Sequence, residues 1–140
     1  MNILIAGANG DIGMALGAEL DRRGHQLFSL SRSPNTPSWS QQHLSVDCST
    51  SSAVDITKRW LQKLVEPLDG VIQCAGILQG ESNPPEKALR DVDIDWLNKS
   101  IQINLASHLH LAQAVEPCIR RDRAFRWVSV SARVASIEDN

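Results

Sequence analysis

The stretch Gly7-Ala8-Asn9-Gly10-Asp11-Ile12-Gly13 constrains this chain more than any other. A short apolar run, Ile3-Leu4-Ile5-Ala6, leads into it, and a helical pattern of apolar residues, Ile12, Leu16 and Leu20, leads out. Strand, glycine turn and helix in that order read as a phosphate-binding loop, whereas glycines alone would only end a strand and start a helix. Gly7 permits a tight exit from the strand at positive φ. Gly10 has no Cβ, so a pyrophosphate can approach the backbone, and Gly13 lets the first helical turn pack closely. Unpaired N–H groups and the positive dipole end at the helix start favour an anion there. The spacing is Gly-x-x-Gly-x-x-Gly, not the Gly-x-Gly-x-x-Gly of the best-known dinucleotide fingerprint.

The rest of the chain repeats the strand–helix alternation. Strands are predicted at 2–6, 26–30, 43–46, 69–74 and 125–130. Helices are predicted at 11–23, 53–65 and 94–115, the last capped by Asp93 and carrying an inner stripe of Leu97, Ile101, Leu105, His108 and Ala112. Residues 31–42 and 77–91 read as loops, rich in Ser, Pro, Asn and Gly. Alternation of this kind argues for βαβ units and a parallel sheet. The expected fold is a Rossmann-type doubly wound α/β sheet in the order 3-2-1-4-5, a single nucleotide-binding domain over 1–140.

Composition narrows the function classes. Net charge is −2, which gives no basic field for nucleic acid. No apolar run approaches the roughly 20 residues of a membrane span, and the N-terminus has no basic region before its short apolar run. Three widely spaced cysteines, Cys48, Cys74 and Cys118, suggest neither a disulfide framework nor a zinc site. A cytoplasmic protein with free thiols is expected. His108 and His110, two apart on a helix, read as packing or solvated residues, and no metal site is expected.

In such a sheet a ligand sits beyond the carboxyl ends of the strands. The residues there are the glycine loop, Ser31-Arg32, Asp47-Cys48, Cys74-Ala75-Gly76 and Ser131. Arg32 stands roughly 20 residues past the glycine loop, where an acidic residue would accept the ribose 2′-OH of NAD. A guanidinium there suits a 2′-phosphate instead, with Ser31 assisting, so NADP(H) is favoured over NAD(H). Asp47 has two readings of equal standing, an acceptor for the adenine amine and a cap on the turn into 49–52. Asp11 suits the helix dipole but repels a phosphate, so its side chain is expected to point away. Asn104 is unusual in a helix interior and invites either a backbone hydrogen bond or a role in the site.

On these residues the chain resembles the short-chain dehydrogenase/reductase superfamily over its whole length. The resemblance rests on Gly7, Gly10 and Gly13, on Asp47, Ala75-Gly76 and Asn104, and on Val128-Ser129-Val130-Ser131, all in order. Ser129 to Asn140 further resembles a small branch related to cell–cell signalling C-factor proteins. The resemblance implies that Gly7, Asn9, Gly10, Asp11 and Ile12 lie along the pyrophosphate, that Arg32 meets the 2′-phosphate, and that Asp47 and Cys48 flank the adenine. It further implies that Cys74, Ala75 and Gly76 pass beside the nicotinamide ribose. Ser131 would polarise a carbonyl, and Asn104 would hold a water of the proton relay.

Two departures matter. The family's Asn-Asn-Ala-Gly is here Gln73-Cys74-Ala75-Gly76. The family's acid/base tyrosine, in Tyr-x-x-x-Lys, should follow Ser131, but the sequence ends at Asn140 and contains no tyrosine. Addition of hydride to a carbonyl leaves an alkoxide that needs a proton, and a phenol beside a lysine supplies it near neutral pH. The chain is therefore expected to be C-terminally truncated relative to the family and to bind cofactor with little or no turnover of a small carbonyl or alcohol substrate. The 94–115 helix is a candidate homo-oligomer face, with apolar surface exposed. The alternative from another class is a non-catalytic nucleotide-sensing or interaction module. A Rossmann domain for another nucleotide is a third reading.

Overall fold

The computed structural model describes residues 1–64, 66–78 and 88–131. Its core element is β1 (Asn2–Ala6), whose Ile3, Leu4, Ile5 and Ala6 are at most 7% exposed. Both faces of the strand are covered, which is why its sequence is apolar without alternation. β1 pairs with β2 (Gln26–Ser31) on one side and with β4 (Gly70–Gln73) on the other. β3 (Gln42–Ser45) extends the sheet beyond β2, and β5 (Arg126–Ser129) extends it beyond β4. All four pairings are parallel, and the order is β3-β2-β1-β4-β5, as the alternation predicts.

Helices cover the two faces. On one side α1 (Asp11–Arg22) shields a cluster of Ile3, Ile5, Ala8, Leu27 and Trp39, with Leu20 packed against it. α1 ends in a Schellman turn: His25 N–H donates to Leu20 O and Gly24 N–H to Asp21 O, with Gly24 at φ +78°. On the other side α2 (Ala53–Leu61) and α4 (Ser107–Val115) pack together over Leu4, Phe28, Leu30 and Val71, with Leu111 of α4 in the same cluster. Each such fully buried aliphatic side chain contributes about 1.5–3 kcal/mol. At the far end from the crevice described below, the Asp69 carboxylate accepts from Asn2 N–H at 2.8 Å and pairs with Arg123 at 3.1 Å.

The predicted 94–115 helix is present but not continuous. α3 (Ile94–Ile101), capped by Asp93 Oδ1 accepting from Trp96 N–H, runs into a π-helical turn, Gln102–Ala106, before α4. The expected inner stripe is one position out of phase. Trp96, Ser107, Leu111, Ala114 and Val115 face the core. Leu97, Ile101 and Leu105 are 41%, 47% and 66% exposed, and Ile94 and Leu109 continue that outer strip. Two adjacent stripes of this helix have helical period, and periodicity alone does not say which one meets the sheet. The more apolar stripe faces outward. The loop expected at 77–91 falls largely on 79–87, outside the described residues, as does the branch-like segment after Ser131.

The loop between β2 and β3 folds back onto α1. Trp39 is buried against Gly17, where an added Cβ would overlap its indole ring. Gly17→Ala gains up to about 1 kcal/mol of helix propensity but forces an overpacked ring to move, at a cost of about 1–3 kcal/mol. The substitution is expected to lower the urea midpoint, measured by far-ultraviolet circular dichroism.

Candidate functional site

The order β3-β2-β1-β4-β5 reverses direction at β1, and a crevice of about 330 Å³ opens there at the carboxyl ends of the strands. Gly7, Asn9 and Gly10 form one wall, and Ser31, Arg32 and Ser33 after β2 form another. Val46, Asp47, Cys48 and Ser49 close one end, Gln73 through Ile77 line the exit of β4, and Ile103 and Ser107 reach in from the π turn and α4.

The glycine loop is held by what its residues lack. Gly7 has φ +75°, and a Cβ on it would lie 2.5 Å from Ala75 N. A non-glycine residue is thus excluded by conformation and by space. A Cβ on Gly13 would overlap Gly7 O, so α1 begins hard against the turn. A Cβ on Gly10 would meet only Gly7 O at 3.4 Å, which leaves its backbone open to a ligand. No side chain caps the start of α1, so its first N–H groups are available to an anion. The backbone of the loop is itself anchored, with Gly7 N–H and Ala8 N–H both donating to Leu30 O, at 2.9 and 3.2 Å. Beside it, Gln73 is fully buried, and its Nε2 has no hydrogen-bond partner among the described residues. These features fit a dinucleotide phosphate carried on backbone, with an unused donor at the exit of β4.

Charge in the crevice comes from Arg32 and Asp47. Arg32 is exposed and enters no ion pair among the described residues. Burial works against the Asp47 carboxylate, yet hydrogen bonds from the Ser49 side chain and backbone, with the Arg32 charge, hold its carboxyl below the usual value. Asp47 Oδ1 accepts from Ser49 N–H at 2.9 Å, and its carbonyl accepts from the Thr50 hydroxyl. It therefore caps the turn while lining the crevice. Burial, helped by the Asp47 charge, pushes the Cys48 thiol up to about 12, and burial raises Cys74 too. Both are neutral thiols at ordinary pH.

Ten of the residues expected at the site line the crevice together: Gly7, Asn9, Gly10, Ser31, Arg32, Asp47, Cys48, Cys74, Ala75 and Gly76. Asp11, Ile12, Gly13, Asn104 and Ser131 stand outside its lining. Asp11 and Ile12 are exposed on the first turn of α1, Gly13 is buried, and Ser131 is exposed beyond β5. Asn104 is engaged with backbone: its Oδ1 accepts from Ile77 N–H at 2.7 Å and its Nδ2 donates to Ile77 O at 2.8 Å. It thereby holds the exit of β4 against the π turn, and a Cβ on Gly76 would come within 3.1 Å of its Oδ1. Sequence reasoning missed Ser33, Val46, Ser49, Ile77, Ile103 and Ser107 in the lining. Ile103 and Ser107 stand four apart, at helical spacing, on the helix that carries Asn104, the one signal that pointed to them. His110 donates from Nδ1 to Cys48 O at 2.8 Å, which ties α4 to the crevice floor. Among the described residues no cluster of groups suited to a metal ion occurs, and no helix is long and apolar enough to cross a membrane.

The family model for short chain dehydrogenases matches residues 1–138. The short-chain dehydrogenase/reductase olcF of Penicillium canescens is 24% identical over 136 residues, 94% of this chain and 51% of that protein. The chain thus spans about half the length of that curated relative. The ligand-free aldohexose dehydrogenase of Thermoplasma acidophilum superposes with a TM-score of 0.80 at 20% identity, over 97% of this chain and 51% of that one. Serine dehydrogenase from Escherichia coli gives 0.80 at 15%, over 97% and 63%. The NADH-dependent reductase A1-R′ complexed with NAD gives 0.77 at 22%, over 96% and 60%. Sheet order, glycine loop and a family match over nearly the full sequence lead to one conclusion: this chain belongs to the short chain dehydrogenase family.

Proposed function

We propose that the crevice binds NADP(H) in preference to NAD(H), and that the chain is the cofactor-binding part of an oxidoreductase acting on a small carbonyl or alcohol substrate. The single observation that carries the preference is Arg32, an exposed guanidinium without an ion-pair partner among the described residues, on the crevice wall next to Ser31 and the glycine loop. A 2′-phosphate gains bidentate charge-assisted hydrogen bonds at such a group, which a ribose hydroxyl does not. The start of α1 would hold the pyrophosphate on its free backbone N–H groups, with Gly10 leaving room for its approach. Asp47 and Cys48 would border the adenine, and Cys74 to Gly76 the nicotinamide ribose. The nicotinamide, when bound, exchanges a hydride with the substrate carbon.

The chain's own proton chemistry is sparse. It holds no tyrosine, and Cys48 and Cys74 are neutral thiols of raised pKa. Asn104 spends its carboxamide on Ile77. The 140-residue chain therefore binds cofactor without useful turnover. Its three free cysteines suit a reducing compartment such as the cytoplasm.

Three measurements test this reading. Calorimetry with NADPH and NADH is expected to show NADPH bound about tenfold or more tightly, and Arg32→Ala to remove most of that difference, as the loss of a charged hydrogen-bonded pair predicts. Equal affinity for both cofactors refutes the role of Arg32. Carbonyl reduction with NADPH is expected to stay at background, and measurable turnover contradicts the proton argument. Thiol labelling at pH 8 is expected to be slow at Cys48, whose thiolate fraction lies about a thousandfold below that of an ordinary thiol. Saturating NADPH should slow Cys74 further and leave Cys118, at the opposite end of the sheet, unchanged.

A further inference from the structure

Asn9 sits within the glycine loop, with an exposed side chain engaged in two hydrogen bonds. Its Oδ1 accepts from the Ser31 hydroxyl at 2.5 Å, and its Nδ2 donates to Asn35 O at 3.1 Å. The same Ser31 oxygen accepts from Ser33 N–H at 3.1 Å. The segment from Ser31 to Asn35 is thus gripped near both ends by one carboxamide, and Arg32 lies inside the grip. Among the described residues, Asn9 supplies every side-chain hydrogen bond between the glycine loop and this segment. The remaining ties of the segment run elsewhere. His43 Nε2–H donates to Ser33 O at 2.8 Å, and Trp39 seats the loop on α1 at Gly17.

We propose that Asn9 is a positioning residue for cofactor selectivity: it sets the reach of Arg32 toward a 2′-phosphate relative to the pyrophosphate cradle of the glycine loop. The inference rests on the reading of Arg32 above. A dinucleotide phosphate pair has a fixed internal spacing, so both binding loops must hold a fixed distance for both to engage at once. Without the carboxamide, the cradle keeps its backbone anchor to Leu30 O, while Arg32 keeps its ties to the β3 side, Val46 N–H to Ser31 O and Ser45 Oγ–H to Arg32 O, and loses its side-chain link to the cradle. NADH, which has no 2′-phosphate, makes no demand on that link.

The test is the ratio of NADPH to NADH affinity, measured by calorimetry on the full chain, with the melting temperature recorded in parallel. Asn9→Ala is expected to lower the ratio roughly five- to tenfold, the size expected for two lost hydrogen bonds. Ser31→Ala, which removes half the grip, is expected to lower it less, and it carries the test if Asn9→Ala does not fold. In an Arg32→Ala background, Asn9→Ala is expected to change the ratio no further. Equal weakening of both cofactors overturns the proposal, because it places Asn9 on the part that NADPH and NADH share. An unchanged ratio in Asn9→Ala, with a ratio that falls in Arg32→Ala, overturns the grip and leaves the Arg32 reading standing. A ratio indifferent to Arg32→Ala removes the Arg32 reading and this proposal with it.

Discussion

Two strand ends that nearly touch set the shape of this molecule's crevice. β1 leaves the sheet at Gly7 while β4 leaves beside it at Cys74 and Ala75, close enough that a Cβ on Gly7 would sit 2.5 Å from Ala75 N. Cys74 N–H donates to Ala6 O, and Gly7 and Ala8 N–H donate to Leu30 O. The end of β1 is thereby fixed to both neighbouring strands. A glycine loop held this way fixes the start of α1, with its free N–H groups, before any phosphate would arrive. Binding then loses little to ordering, which is the main advantage of preorganisation. The positive φ of Gly7 costs other residues about 1–2 kcal/mol, and the missing space adds to that.

Around that fixed turn, charge is sorted by what neighbouring residues do with it. Asp47 spends its carboxylate on the turn that follows β3, so its negative charge is compensated locally. Arg32 has no such partner among the described residues and keeps its charge for the crevice. The thiols of Cys48 and Cys74 add polarizable surface without charge. In a protein of net charge −2, the crevice thus carries one cation without an ion pair among the described residues beside a hydrogen-bonded carboxylate.

Much of the fold was legible because its signals are local. The unbroken apolar run of β1, the Gly24 stop after α1 and the Asp93 cap each act within a few residues, and each stands where the sequence puts it. Sheet order followed from alternation and the handedness of crossovers. The candidate site was legible where backbone demands a residue type, as at Gly7, and where charge is rare, as at Arg32. It was not legible where function depends on partners far along the chain. Nothing local to Asn9 announces Ser31 and Asn35, and nothing local to Asn104 announces Ile77. The face of α3 was misread for the same reason. Leu97 and Ile101 are as apolar as any core residue, and only the position of the sheet shows that Trp96 and Leu111 are the ones inside.

The π turn at Gln102–Ala106 carries a constraint of a different sort. Such a turn holds one residue more than α-helical winding requires. The extra residue is taken up as a local widening, and the turn covers nearly the rotation of an α-helical stretch one residue shorter, so α3 and α4 keep their faces on either side of it. Trp96 before the turn and Leu111 after it are both buried, and within the turn Asn104 reaches Ile77. Surface loops absorb insertions and deletions at a cost that grows slowly with length. Here the extra residue is absorbed inside a helix instead, at the turn that presents Asn104 to Ile77.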